Sequence, residues 1–255
     1  MRRALQAVIA LAGLIALTGV APAAGAGPVR LKALPELRKD ADALPRLVSG
    51  ASPAVIRAIN GVFAKLDAQA LRAAHECGET PQSSYERSST TTMQGPRFLS
   101  LVAYEGFFCD GAAHPDNNQQ PLVFDLTTGS LVDWEKLLPG KVKLTILSAA
   151  DRKLYPFDRT VSSDALWTLY KAAVLTESPG SDCASTLAEG QLDFRLSLDA
   201  EKAALVVDEV GLRHAVQACG TTLYLSGAEL KSFGAAPELL AALDAANSLQ
   251  PPAKK

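Results

Sequence analysis

The sequence lacks the short motifs that identify common enzyme classes. It has no Gly-x-Ser-x-Gly elbow, no phosphate-binding loop, no His-Glu-x-x-His and no dinucleotide-binding glycine fingerprint. Histidine is scarce, with three in 255 residues, and the four cysteines include no Cys-x-x-Cys pair. A structural zinc site is therefore not expected, and we predict neither a metal nor a cofactor. No acid pair for glycoside hydrolysis can be singled out among 27 acidic residues.

Long hydrophobic runs are also missing, except for one at the N-terminus. Arg2 and Arg3 precede an apolar stretch over residues 4–20, and Ala24-Gly25-Ala26 matches a signal-peptidase site. The alternatives are cleavage after Ala21-Pro22-Ala23 and an uncleaved anchor helix. We predict a signal peptide over residues 1–26, cleaved after Ala26, and a periplasmic or secreted protein without a later membrane span.

An excess of basic residues is absent as well. The formal net charge is −2, and removal of the leader, which holds two arginines and no acid, makes it −4. A mildly acidic protein of about 230 residues is not typical of nucleic-acid binding, and it is long enough for a real core. Composition leaves the oligomeric state open.

The pattern of apolar residues predicts an α+β fold. Ser52 and Pro53 form a helix start, and apolar residues then recur at helical spacing to about residue 76. Residues 85–93 are rich in Tyr and Thr and are predicted to form an edge strand, with a linker as the alternative, and an alternating run follows over residues 192–198. We predict an N-terminal helical segment over residues 27–80 that packs on the core. An α+β core domain over 81–246 and a disordered tail over 247–255 follow. The expected fold is an antiparallel sheet with helices packed on one side, stabilised by disulfides.

The most structured stretch is residues 98–138. It reads as an apolar strand ending at Cys109, a polar loop to Gln120, a second strand, a turn at Gly129 and a short helix capped by Asp133. Nothing in it is a catalytic signature.

An even number of cysteines in an exported protein suggests disulfides, and four cysteines allow three connectivities. We choose Cys77–Cys109 and Cys183–Cys219, because each pair joins neighbours in sequence and each cysteine falls at the edge of a predicted element.

The residues around Cys109 resemble a domain of unknown function in bacterial envelope proteins. The segments are YEGFFCDGAAHPD, FDLTTGSL and a Trp-x-x-Leu-Leu turn. In the family an aromatic-aromatic-Cys-Gly-Gly-Ala-His-Pro loop precedes a Phe-Asp-Leu-x-Thr-Gly hairpin. The matching positions are Gly111, Ala113, His114, Pro115, Asp125, Gly129 and Leu137. Six residues follow the cysteine here, where the common pattern has five. The domain forms the extracytoplasmic part of lysozyme-sensing anti-sigma factors and stands beside the catalytic domain of a peptidoglycan deacetylase. The resemblance implies lysozyme or cell-wall material as the partner.

The candidate ligand-binding residues all lie in the loop after Cys109. They are Asp110, Gly111, His114, Asp116 and Asn117. His114, Asp110 and Asp116 are also the candidates for catalysis, and these three could hold a divalent metal. The alternative for His114 is a loop brace, and His75 and His214 are expected to be structural.

Three functions remain open from the sequence. The leading one is an exported, non-enzymatic envelope protein that binds a lysozyme-like protein or a cell-wall ligand. The second is a cell-wall-directed hydrolase that uses the His114 loop. The third is a structural envelope domain without a ligand.

Overall fold

The computed structural model describes residues 28–78, 80–148, 155–177, 183–188, 190–212 and 214–248. The predicted signal peptide lies outside these ranges. The strands are β1 (Arg30–Lys32), β2 (Arg46–Ser49), β3 (Ser84–Gln94), β4 (Phe98–Phe108), β5 (Asp116–Asp125), β6 (Lys143–Leu144), β7 (Val161–Ser162), β8 (Asp193–Asp199), β9 (Ala204–Val210) and β10 (Thr222–Ser226). The helices are α1 (Pro53–Glu76), α2 (Trp134–Leu137), α3 (Asp164–Glu177), α4 (Cys183–Ala188), α5 (Gly227–Phe233) and α6 (Pro237–Ser248), with a 3₁₀ helix at His214–Cys219.

The strands form three antiparallel sheets. The smallest pairs β1 with β2, the central one has the order β3-β4-β5, and the largest has the order β10-β9-β8-β7-β6. Within the described ranges, each of these strand pairings is antiparallel. The predicted fold class, antiparallel strands with packed helices and disulfides, is confirmed. The pairing is divided among three sheets rather than concentrated in one.

Helix α1 covers one face of the central sheet. Ser52 caps it by accepting a hydrogen bond from the backbone N–H of Val55, and Pro53 is its first residue, as predicted. Ile59, Phe63 and Leu66 pack on a face of β4 and β5 that consists of alternate apolar residues. The rings of Phe63 and Phe124 meet edge to face at 5.4 Å between centroids. The buried face of α1 is therefore what anchors it across the sheet.

The opposite face of the central sheet packs on β8. Phe98 and Val123 share a core with Phe194, together with side chains of α3, α5 and α6. The hydroxyl oxygen of Ser100 accepts a hydrogen bond from the backbone N–H of Leu198 at 3.1 Å. The central sheet is consequently buried on both faces over the half that contains these residues.

The N-terminal segment has further structure before helix α1. It contains β1 and β2, two strands too short to show alternation in the sequence. The side-chain amide of Asn60 on α1 bonds both backbone groups of Leu47, at 2.8 Å to its N–H and 2.9 Å to its carbonyl. Strand β2 is thus held by the helix, a contact that no local pattern encodes.

The polar segment before Pro121 is also not the predicted loop. Residues Asp116 to Gln120 belong to β5 and pair with β4 from Phe107 to Ala103. The backbone of β4 supplies the hydrogen-bond partners of this segment, and this pairing does not depend on whether the side chains of β5 are polar or apolar. Pro121 is tolerated because β5 lies at the edge of its sheet.

Both predicted disulfides are confirmed. Cys77–Cys109 joins the end of α1 to the residue after β4, and Cys183–Cys219 joins the start of α4 to the 3₁₀ helix. Within the described ranges no free cysteine remains.

Two further observations concern the ends and the helices. Helix α6 continues to Ser248, so residues 247 and 248 are not part of a disordered tail, and the rest of that predicted tail lies outside the described ranges. Of the helices described, none is both long enough and apolar enough to cross a bilayer.

Candidate functional site

Helix α1 leaves part of the central sheet uncovered, and an open cleft of about 1120 Å³ lies there. We call it the α1–β5 cleft. One wall is a polar stripe on α1, whose members follow each other at helical spacing: Lys65, Gln69, Arg72 and Glu76. The other side presents alternate residues of β5, namely Asp116, Asn118 and Gln120, and beyond them residues 155–158. The cleft thus combines amides, charges and aromatic rings.

The floor of the cleft is formed by Tyr85, Glu105 and Phe107. The hydroxyl of Tyr85 donates to Oε1 of Glu105 at 2.8 Å. Burial, reinforced by the negative charge of Glu105, raises the pKa of Tyr85, so this phenol keeps its proton and remains a donor. The side chain of Glu105 is 26% exposed, which places a carboxylate at the bottom of the cleft.

A row of buried charges stands behind Glu105. Nε of Arg87 lies 3.7 Å from its Oε1, and Nη1 of Arg87 donates to Asp67 at 2.9 Å. The other carboxylate oxygen of Asp67 accepts from Arg46 at 2.6 Å. Arg87 has a side chain only 2% exposed. Positive and negative side chains therefore alternate in a row from β2 to the floor of the cleft. The row consists of Arg46, Asp67, Arg87 and Glu105.

A second, polar cavity of about 480 Å³ lies on the other side of β5, and we call it the β5–β9 cavity. Its centre is Asp208, which accepts from the Thr222 hydroxyl at 2.7 Å and from the Gln119 amide at 3.2 Å. Burial raises the pKa of Asp208 above its ordinary 3.8, although the Thr222 bond and the Arg195 charge act against this. Burial likewise raises the pKa of the neighbouring Glu209 above 4.5.

Arg195 lies between the two spaces and contacts residues on both sides. Its guanidinium donates to the side chain of Asn118 at 2.9 Å and to the backbone carbonyl of Gln119, and it lies 3.5 Å from the carboxylate of Asp158. Because the carbonyl of Gln119 is occupied, this part of the β5 edge does not offer a free ladder to an added strand.

The five predicted site residues are divided by the structure. Asp116 and Asn117 line both the cleft and the cavity, whereas Asp110, Gly111 and His114 line neither. The carboxylate of Asp110 accepts from the hydroxyl of Thr80, and its backbone N–H donates to Cys77 at 2.9 Å. His114 is exposed, with Nδ1 3.0 Å from the carbonyl of Pro115.

The structure does not support the hypothesis that Asp110, His114 and Asp116 hold a divalent metal. In the part of the chain that the structure describes, no three His, Cys, Asp or Glu side chains converge as metal ligands would. The side chain of His214 lies outside the description. The roles assigned to Asp110, Gly111 and His114 stay predictions.

The sequence reasoning overlooked the cleft residues, although one signal was present. The polar positions 65, 69, 72 and 76 form a continuous stripe on α1, and such a stripe normally faces solvent. Glu105, in contrast, stands inside an apolar strand, where a lone charge has no partner in sequence. Its partners Tyr85 and Arg87 come from β3 and are visible only once the strands are paired.

Comparisons with known proteins give little further identification. No protein-family model matches the chain, and none of the curated proteins matches it. Among solved structures, the chain is similar to a DUF3298 family protein from Pseudomonas aeruginosa PAO1. The TM-score is 0.40 and the identity 14%, over 83% of this chain and 95% of that one. A likeness at this TM-score carries no argument about the fold or the function of this chain.

Proposed function

We propose that this protein is an exported, non-catalytic binding module of the cell envelope, and that its ligand is a soluble fragment of cell-wall glycan and peptide held in the α1–β5 cleft. The observation that carries the proposal is the cleft itself: a preformed concavity of about 1120 Å³ on a disulfide-braced sheet. Binding sites for small molecules are typically concave and largely preformed, with volumes of about 300–1,000 Å³.

The lining of the cleft suits a ligand that is rich in hydroxyl and amide groups. Gln69, Asn118 and Gln120 present amides, which both donate and accept hydrogen bonds. Tyr85 and Phe107 present ring surface to the apolar faces of such a ligand. Arg72 offers a fork-shaped donor to peptide carboxylates. The two disulfides agree with an oxidising compartment, where cell-wall material is found.

The other predicted partner, a lysozyme-like protein, fits the cleft less well. A stable protein–protein interface buries about 1,600 Å² in total, or about 800 Å² on each partner, so it has to extend well beyond a single cleft. A hydrolase is also less well supported, because His114 lines neither of the two spaces. Asp110 is turned towards Thr80 and not towards a cavity.

The test is a calorimetric titration of the oxidised mature protein with purified muropeptides and, separately, with a c-type lysozyme. Saturable binding of muropeptides supports the proposal. The variant Arg72→Ala should then bind at least about fivefold more weakly, since an arginine–carboxylate contact contributes on the order of 1 kcal/mol or more. Arg57→Ala is the matched control, because Arg57 is exposed on the same helix but lies outside the cleft.

Three results contradict the proposal. Binding of lysozyme without binding of muropeptides would assign the module to a protein partner. A flat titration with both would leave the protein without the ligand class proposed here. Release of new reducing ends from cell walls would indicate a hydrolase.

A further inference from the structure

Glu105 is the last residue in the row of charges behind the cleft floor, and it has fewer charged partners than the residues before it. Asp67 lies between Arg46 and Arg87, and Arg87 lies between Asp67 and Glu105. Asp67 also accepts a hydrogen bond from the backbone N–H of Leu44 at 3.0 Å. Among the described residues, Glu105 has a cation on one side only, at Nε of Arg87. The last member of the series is therefore a negative charge that faces the cleft.

The two oxygens of Glu105 are unequally engaged. Oε1 accepts from Tyr85 and lies 3.7 Å from Arg87. Among the described residues, none donates a hydrogen bond to Oε2. Nε of Arg87 is buried and likewise makes no hydrogen bond. A carboxylate fixed on one side by a buried phenol and a buried guanidinium is held ready on its other side for a donor from the ligand.

The cations near the cleft do not occupy this position. Arg195 is committed to Asp158 and to β5. Lys65 and Arg72 are exposed on α1, at the rim, where solvent and salt screen their charge. Glu105 is the more sheltered group, so its charge contributes more to ligand choice than theirs do.

We infer that Glu105 is the residue that determines specificity in the α1–β5 cleft and that it selects a ligand bearing a primary ammonium group, which would continue the alternation of charge that runs from Arg46 to Glu105. The inference rests on the proposed function and names the chemistry of its ligand. Two components of cell-wall fragments can supply such a group, an amino sugar that is not acetylated and the side chain of a diamino acid.

Acetylation of the ligand amine provides a direct comparison. It removes the positive charge and leaves one N–H donor in place of three, while the rest of the ligand is unchanged. A charge-assisted hydrogen bond to a sheltered carboxylate is roughly twice as strong as a neutral one. We therefore expect the free amine to bind at least about tenfold more tightly than its acetylated counterpart.

The experiment compares two ligand pairs on the full mature protein by calorimetry. One pair is the tetramer of glucosamine and the tetramer of N-acetylglucosamine. The other is a lysine-containing tripeptide and the same tripeptide acetylated at Nζ. A tenfold preference for the free amine in the first pair identifies the amino sugar as the source, and a preference in the second pair identifies the diamino acid.

Variants then assign the preference to one side chain. Glu105→Gln should abolish the difference between the two members of the preferred pair. Glu86→Gln is the matched control and should preserve it, because Glu86 is exposed and precedes Arg87 on the opposite face of β3. Thermal unfolding of each variant confirms that it is folded, and the wild-type comparison needs no variant at all.

Each remaining outcome overturns a distinct statement. Equal affinity within both pairs, or no binding of either pair by a protein that binds muropeptides, would overturn the inference and leave the proposed function in place. A preference that survives in Glu105→Gln would overturn the role of Glu105. A protein that binds neither pair and no muropeptide would overturn the proposed function together with the inference.

Discussion

Asp67 shows how a single residue can combine several parts of the chain. It is 5% exposed, and its carboxylate accepts from Leu44, Arg46 and Arg87. A buried carboxylate carries a desolvation cost of several kcal/mol, which only close and well-directed donors offset. Asp67 therefore fixes β2, α1 and β3 relative to one another, and it does so next to the floor of the cleft.

Asp208 provides a prediction about pH. Burial raises its pKa, so the folded protein binds its proton more tightly than the unfolded chain does. Ionisation of Asp208 consequently costs folding free energy at neutral pH, and this cost disappears as the pH falls below its ordinary value of 3.8. Asp208→Asn removes the titration. We expect the stability of the wild type relative to this variant to fall as the pH rises from about 4 to 7, measured by urea unfolding.

Glu229 supplies a contrast of opposite sign. Hydrogen bonds from the hydroxyl and backbone N–H of Ser226 lower its pKa, so its contribution is present above 4.5 and is lost as the pH falls through the lowered value. The stability of the wild type relative to Glu229→Gln should therefore rise with pH. Parallel slopes for the two variants would contradict the account of Asp208.

At the scale of elements, the approach of α1 to the turn after β5 is controlled by Gly129. This glycine has φ +77°, and its N–H donates to the carbonyl of Asp125 at 2.7 Å. A Cβ at this position would lie 3.2 Å from Cα of Val55 and 3.3 Å from its carbonyl oxygen. The first turn of α1 thus packs directly on this turn, and an added Cβ would fit only if α1 shifted by a few tenths of an ångström.

Gly129→Ala should lower the free energy of unfolding by about 2–3 kcal/mol. Roughly 1 kcal/mol of this comes from the left-handed conformation, and the rest comes from displacement of α1 by the new methyl group. Gly111→Ala is the matched control, because Gly111 has φ +81° but no atom within 4 Å of the added Cβ. It should cost only about 1 kcal/mol. Equal losses in urea unfolding would show that close packing of α1 does not contribute.

At the scale of the whole molecule, the two disulfides close loops of similar length, with separations of 32 and 36 residues. The chain-entropy estimate is therefore about 3–4 kcal/mol for each. Replacing either pair by serine should reduce the free energy of unfolding by a similar amount, measured with denaturant under oxidising conditions.

The two bridges should nevertheless differ in their effect on binding. Cys77 and Cys109 line the α1–β5 cleft, whereas Cys183 and Cys219 do not. Loss of the first pair should weaken muropeptide binding, and loss of the second should leave it unchanged in protein that is still folded. An equal effect on binding would mean that the first bridge does not shape the cleft.

Much of the fold was predictable because the signals are local. The cap at Ser52 with Pro53, the capping box of Ser226 with Glu229 and the alternation over residues 192–198 each specify an element within a few residues. The pairing of cysteines at neighbouring element ends was also correct. The short strands β1 and β2 were missed because they are too short to show alternation, and the polar half of β5 was missed because its side chains give no apolar periodicity.

The site was predicted less well than the fold, and for a related reason. The loop around His114 is conspicuous in sequence, yet only Asp116 and Asn117 of its candidates reach a cavity. Glu105 is inconspicuous in sequence and lies at the centre of the cleft. A site depends on which side chains converge, and convergence is set by strand register and by helix placement.

The sequence by itself therefore determined most of the longer elements, their caps and the α+β class, since each depends on residues close together in the chain, and its even count of cysteines indicated disulfides. Only the tertiary structure decided that α1 covers part of a sheet face and that β5 separates two polar spaces. It also decided that Glu105 contacts the buried residues Tyr85 and Arg87 of β3. These features arise from contacts between residues far apart in the chain, such as Arg87 and Asp67, which are 20 positions apart, and no short pattern in the sequence can encode them.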